Sequence, residues 1–290
     1  MAVSTPSDPT LDVRRQEPFG ARLLGDGDAR LAGLPPELLL GLVAEHHLVV
    51  LRGFTGAASD EEFEEFAGRL GEPLAWNGSR TFHVEAHAEP EDHLFETGFM
   101  PIHWDGLYMN AGSAPDLQIF QCLRATDPAV GGATLFCDTT LVLAGADPET
   151  RALWEGLTFR YERPTAGGEV VTREVPLVVP HPRLGRPTLR FSEPVPEDVV
   201  IINPTATTLP RPPEGHDAAQ IIEGIRRALY DPRHMYAHRW QAGDVVIADN
   251  QTLLHTREPY PPGVPRKLRR VTTRLTDGAG APGDRQATRP

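Results

Sequence analysis

Two histidines and an aspartate carry the most chemistry in this chain. His103 and Asp105 stand on either side of Trp104 in MPIHWDGLYMN, and His255 lies far downstream in WQAGDVVIADNQTLLHTREPYPPGVPRKLRRVTT. In a strand, residues i and i+2 project to one face, so a His-x-Asp pair sets an imidazole beside a carboxylate. Two imidazoles and one carboxylate around Fe(II) leave three coordination positions open on one side, room for a bidentate keto acid and for O2. The pair alone is weak, because the chain's histidines and acidic residues give about 1.5 chance His-x-Asp/Glu matches. The other matches, His83-Val84-Glu85 and His87-Ala88-Glu89, lie in an acidic, Pro-interrupted stretch suited to a surface.

Arg266 strengthens the set. It follows His255 by eleven residues, and Arg270 follows four later. A guanidinium grips a carboxylate through two parallel hydrogen bonds and stays charged. A dicarboxylate such as 2-oxoglutarate needs one such anchor: its keto acid end chelates the metal and its far carboxylate meets Arg266. The hydroxyl of Thr134, in GGAT, is placed to add a hydrogen bond. On a strand Arg269 and Arg270 point to opposite faces, and Arg270 shares a face with Arg266, so at least one of the pair is expected outside, solvated or salt-bridged. The bland alternative for His103 and Asp105 is a satisfied polar pair. Trp104 reads as a core residue, Tyr108 and Phe99 flank the metal pair as either pocket-lining or packing residues, and His181 reads as a structural turn residue.

Those side chains need a frame to hold them. With 290 residues, 40% apolar and 23% charged, the chain has the composition of a folded globular protein able to bury a core around a ligand. The net charge of −12 repels phosphate backbones, which sets nucleic acid aside and leaves a small-molecule substrate. Cys122 and Cys137 match no redox or zinc spacing and read as free buried thiols. No apolar leader opens the chain and no run nears the roughly 18 apolar residues of a membrane helix, so a cytoplasmic protein is expected. The oligomeric state stays open, a homo-oligomer included.

Residues 1–20 and 276–290 lack periodicity and read as loose ends around a single domain at 21–275. LPPELLLGLVAEHH predicts a helix leading into the strand LVVLRGF, and SDEEFEEFAGRLG a second helix capped by Ser59 or Asp60 and stopped at Gly71. Residues 72–100 read as a long active-site loop able to act as a lid. Beyond Met100 short strand-like runs recur: LQIFQCL, ATLFC, LTFRY, VPLVV, TLRF, DVVII, DVVIAD and LRRVTT, interrupted by one helix near 216–230. That count predicts a mainly β protein with peripheral helices, built on a jelly roll or related sandwich.

HWDG, GGAT and DNQTLLHTRE followed by PRKLRR, with LVVLRGF and FAGRLGEP before them, resemble the taurine dioxygenase and phenoxyacetate dioxygenase family of Fe(II)/2-oxoglutarate-dependent oxygenases. The resemblance runs over about residues 20 to 275. It implies a double-stranded β-helix core of jelly-roll, cupin-like type, with His103, Asp105 and His255 as iron ligands. It also implies Thr134 and Arg266 as 2-oxoglutarate contacts, and Arg270 as a contact to an anionic substrate group. A carboxylate at 105 departs from the halogenating relatives, which carry a small residue there. PIHWDGLY, LQIFQC and GGATLFCDT further resemble the oxygenases paired with isonitrile synthases (paerucumarin-type branch), implying desaturation of an isonitrile of tyrosine or tryptophan in natural-product biosynthesis. The rivals are an amino-acid hydroxylase of the same family, a metal-dependent hydrolase, and a jelly-roll metal-binding module without turnover.

Overall fold

In the computed structural model, residues 12–76, 78–90, 95–109, 112–164, 168–195 and 206–276 are described. β1 (Asp12–Arg15), β2 (Ala21–Leu24), α1 (Pro36–His46), β3 (Leu48–Arg52), α2 (Asp60–Gly68), β4 (Glu72–Pro73) and β5 (Thr81–Glu85) come first. There follow β6 (Met100–His103), β7 (Leu117–Arg124), β8 (Thr134–Asp138), α3 (Thr139–Gly145), α4 (Pro148–Glu155), β9 (Thr158–Pro164), β10 (Val170–Pro176), β11 (Val178–Pro180) and β12 (Pro187–Leu189). β13 (Ala206–Thr208), α5 (Ala218–Leu229), β14 (Met235–His238), β15 (Val245–Asp249), β16 (Leu253–Arg257) and β17 (Lys267–Arg274) complete the order.

Two sheets position the site. The larger runs β1-β2-β3-β15-β7-β17-β4 with β5 also on β17, and the smaller runs β14-β8-β16-β6. Side chains alternate across each strand, so Leu48, Val50, Phe120, Val246 and Leu268 of the large sheet meet Phe136, Tyr236 and Leu253 of the small one in a shared buried cluster. The other face of the large sheet (Val49, Leu51, Leu117, Ile119, Val245, Ile247, Val271) packs on Leu39 and Val43 of α1 and Phe63 and Phe66 of α2. Behind the small sheet, Cys137 and Leu254 join Ile221, Ile225 and Leu229 of α5.

Local rules account for the helices. Pro36 opens α1, and Ser59, not Asp60, caps α2 by accepting the Glu62 N–H at 3.2 Å. The helix ends at Gly68, ahead of the expected Gly71. α5 starts on the Asp217 cap inside the expected 216–230 window.

Several expectations need correction. Residues 12–15, expected to be loose, form β1 antiparallel to β2. Residues 72–100 are not one long loop: β5 pairs with β17, because Thr81 to Glu85 supplies an extended run that the edge of β17 can bind. Two helices, α3 and α4, are additional to the expected elements: α3 (TTLVLAG) starts on the Asp138 cap, and α4 on the Asp147 cap with Pro148 in its first turn, a start signal present in the sequence. The expected strand DVVII lies outside the described residues. Both cysteines are free and buried, and burial pushes the Cys122 thiol up to about 12. No helix among the described residues is long and apolar enough to cross a membrane.

Candidate active site

β6 ends at His103, so Asp105 sits in the turn after the strand and not on it. The i, i+2 geometry expected of a strand is therefore supplied otherwise. Trp104 anchors the turn through its backbone N–H to Phe191 O and its indole N–H to Asn250 O at 2.7 Å. The Asn250 amide donates to the Asp105 carbonyl at 2.8 Å, and Gln118 donates to the Asp105 carboxylate at 2.9 Å. His255, on β16, is the direct cross-strand partner of His103 on β6, and the two rings lie 4.3 Å apart. Ligand atoms of His103, Asp105 and His255 all fall within 4.8 Å of one another.

The protonation states suit a cation. His103 Nδ1 lies 2.9 Å from the Pro101 carbonyl, an acceptor only, so Nδ1 carries a proton, and Nε2 faces Asp105 Oδ1 at 3.5 Å. Burial pulls His255 down to about 3, with the charges of His103 and Arg270 adding to it against Asp105, so its imidazole is neutral at neutral pH. Burial pushes Asp105 upward, but Arg270, His255 and His103 outweigh it and hold the carboxyl at about 2. Two imidazoles and one carboxylate, clustered from three segments, fit Fe(II) with open positions remaining.

Arg266 reaches the strand pair that carries His255: it bonds Thr134, whose cross-strand partner is Arg257, two residues past His255. It is 3% exposed, its Nε donates to Gly132 O at 2.8 Å, and its Nη2 donates to Thr134 Oγ1 at 3.1 Å. Trp240 also donates to Thr134 Oγ1, at 3.0 Å, so both lone pairs of that hydroxyl are used and its proton is left to give. Burial brings Arg266 down to about 10, so it stays cationic at neutral pH. Among the described residues no carboxylate pairs with it. The backbone here demands glycine: a Cβ on Gly131, at φ +95°, would stand 2.4 Å from Pro259 O.

Arg270 reaches the same interior, its Nη1 2.5 Å from Asp105 Oδ2. Arg269 takes the other face as expected, salt-bridged to Asp60 at 2.8 Å, yet it is buried at 2% exposure and not solvated, because α2 covers that face and Gln121 and Ala57 O accept its remaining N–H groups. The decoys stay apart: His83 pairs with Asp60, and His87 stacks on Phe95. His181 is structural, its Nδ1 accepting the Arg183 and Leu184 N–H groups and its Nε2 3.2 Å from Asp249.

Sequence reasoning missed Gln118, Asn250, Trp240 and Arg257. Gln118 could have been found as a polar residue in inward phase with Phe120 and Cys122 in LQIFQCL. Arg257 follows His255 by two residues on β16 and is 4% exposed, with Nη2 donating to Gly98 O at 3.1 Å.

The model of the taurine catabolism dioxygenase TauD, TfdA family matches residues 12–272. The 3-((Z)-2-isocyanoethenyl)-1H-indole synthase of Fischerella ambigua is 38% identical over 277 residues, covering 93% of this chain and 99% of that protein. The tyrosine isonitrile desaturase of Pseudomonas aeruginosa is 37% identical, covering 91% of this chain and 90% of its own length. The solved structure of PvcB, an Fe, alpha-ketoglutarate dependent oxygenase from an isonitrile synthetic pathway, matches with TM-score 0.71 at 33% identity over 94% of both chains. The family match over residues 12–272 and relatives 37–38% identical over more than nine-tenths of the chain show that it belongs to the TauD, TfdA dioxygenase family.

Proposed function

We propose that this non-haem iron, 2-oxoglutarate-dependent dioxygenase oxidises an unactivated C–H bond of a small amino-acid-derived carboxylate, an isonitrile of tyrosine or tryptophan, by desaturation in natural-product biosynthesis. The observation that carries the co-substrate assignment is Arg266, a buried guanidinium without a carboxylate partner among the described residues, bonded to Thr134 on the strand paired with the one that bears His255. A buried cation is expensive unless paired, and the far carboxylate of 2-oxoglutarate supplies the partner.

His103, Asp105 and His255 hold the iron, with Gln118, Asn250 and Trp104 fixing the Asp105 turn. Thr134 and Arg266 orient 2-oxoglutarate, and Arg270 receives the substrate carboxylate. Bound iron, with 2-oxoglutarate and O2, supplies the oxidant that takes hydrogen from the C–H bond. The protein contributes alignment and exclusion of water, which the Phe120 and Phe136 rings 6.3 Å from the His255 ring assist. The large and small sheets are read as the two walls of a double-stranded β-helix, jelly-roll core, and residues 21–275 as one oxygenase domain, a reading supported by the family match over 12–272. The comparisons lend no support to a module without turnover.

Purified protein given Fe(II), 2-oxoglutarate, O2 and either isonitrile is the test. Succinate should form in step with a product lighter by two hydrogens. A product gaining oxygen would move the reading to hydroxylation, and turnover of free amino acids but neither isonitrile would overturn it.

A further inference from the structure

A row of aromatic rings beside Arg270 serves no core. Phe82 on β5 is the direct cross-strand partner of Arg270 on β17, so both side chains stand on the inner face of the large sheet. The guanidinium carbon of Arg270 lies 5.6 Å from the Phe82 ring centre and 6.0 Å from that of Trp76. Trp76 and Phe82 lie 6.2 Å apart at 31°, and Phe82 and Phe95 5.7 Å apart at 34°.

On the other side of Arg270, its β7 partner Phe120 belongs to the buried cluster between the sheets. The row is different. Trp76 is 46% exposed, Phe82 and Phe95 are half-buried, and none of the three joins any buried cluster among the described residues. The Phe95 ring is stacked by His87, but Trp76 and Phe82, left partly in water and in contact with a cation that also touches the Asp105 carboxylate, have stacking surface to spare.

We propose that Phe82 and Trp76, backed by Phe95, form the aryl subsite of the prime substrate and set its specificity for aromatic over aliphatic carboxylates. The inference rests on reading Arg270 as the carboxylate receptor. An aryl ring and a carboxylate joined through two carbons lie about 5 Å apart on ordinary carbon–carbon bond lengths. Rings and guanidinium here are spaced on that scale, so one arylalanine-like skeleton can stack on Phe82 and Trp76 while its carboxylate meets Arg270. An aliphatic substrate keeps the ion pair and forgoes offset stacking.

The experiment measures binding by calorimetry to the protein loaded with Fe(II) and 2-oxoglutarate under anaerobic conditions, using the isonitriles of tyrosine, tryptophan and leucine. The wild type should bind the aryl pair more tightly. Trp76→Leu and Phe82→Leu should each weaken the aryl ligands about fivefold while changing the leucine ligand by less than about twofold. Because Trp76 is exposed, Trp76→Leu probes the row without disturbing the interior. Equal losses for aryl and alkyl ligands, or a wild type without aryl preference, overturn the subsite. If aryl binding behaves as stated but no isonitrile is oxidised, the subsite stands and the proposed reaction falls.

Discussion

Arg270 Nη1 lies 2.5 Å from Asp105 Oδ2, so the arginine assigned to the substrate carboxylate also touches the carboxylate assigned to iron. With Gln118 on the same oxygen, Oδ2 is occupied and Oδ1 is left facing His103. In the proposed site, one guanidinium thereby links substrate arrival to the orientation of the carboxylate assigned to iron.

Arg270→Ala should therefore raise KM for the prime substrate about 10- to 150-fold, the cost of one charge-assisted contact of about 1.5 to 3 kcal/mol, and lower kcat as well. Steady-state kinetics checks this. A change confined to 2-oxoglutarate affinity would refute the assignment.

Arg266→Ala should weaken 2-oxoglutarate binding about 30- to 150-fold, from loss of about 2 to 3 kcal/mol. Anaerobic titration of the Fe(II) protein reads it directly. Normal binding would remove Arg266 from the co-substrate site.

His255→Ala should abolish turnover and lower the iron content measured on the purified protein, since a two-residue set cannot hold the metal facially. Chelation of the wild type should silence it, and Fe(II) should restore activity where Zn(II) does not. Full recovery with Zn(II) would favour the hydrolase.

Arg269→Ala should behave in the opposite way to Arg270→Ala. It strips Asp60, Gln121 and Ala57 O of a shared donor, and should cost about 2 to 3 kcal/mol in a denaturant titration with KM values little altered.

His238 gives the pH dependence. It is 1% exposed, and burial holds its pKa below the ordinary 6.5 despite Asp244 at 3.2 Å. Below pH 6.5 the unfolded chain takes up a proton that the folded protein refuses, so stability falls as pH falls from 6.5 toward the folded value. The slope from this residue is at most about 1.4 kcal/mol per pH unit. His238→Gln should flatten that part of the stability profile.

Much of the fold was legible because its signals are local. The α1 and α2 patterns, the inward phase of LQIFQCL and the strand DVVIAD depend on neighbours a few residues away. β5 was not legible, since an acidic, His-rich run becomes a strand only when the edge of β17 is there to bind it. α3, seven residues with Thr139, Thr140 and Val142 among them, is too short and too rich in β-branched residues to show a helical period.

For the site, the sequence alone determined which side chains could do the chemistry: His103, Asp105, His255, Thr134, Arg266 and Arg270, by type, order and spacing. Only the tertiary structure decided what surrounds them. Strand pairing sets His255 opposite His103, Asn250 and Gln118 turn Asp105 inward, α2 buries Arg269 on the far face, and Phe82 and Trp76 come to rest beside Arg270. The physical reason is that donor type is a property of one residue, while burial, protonation and distance arise from segments far apart in the chain.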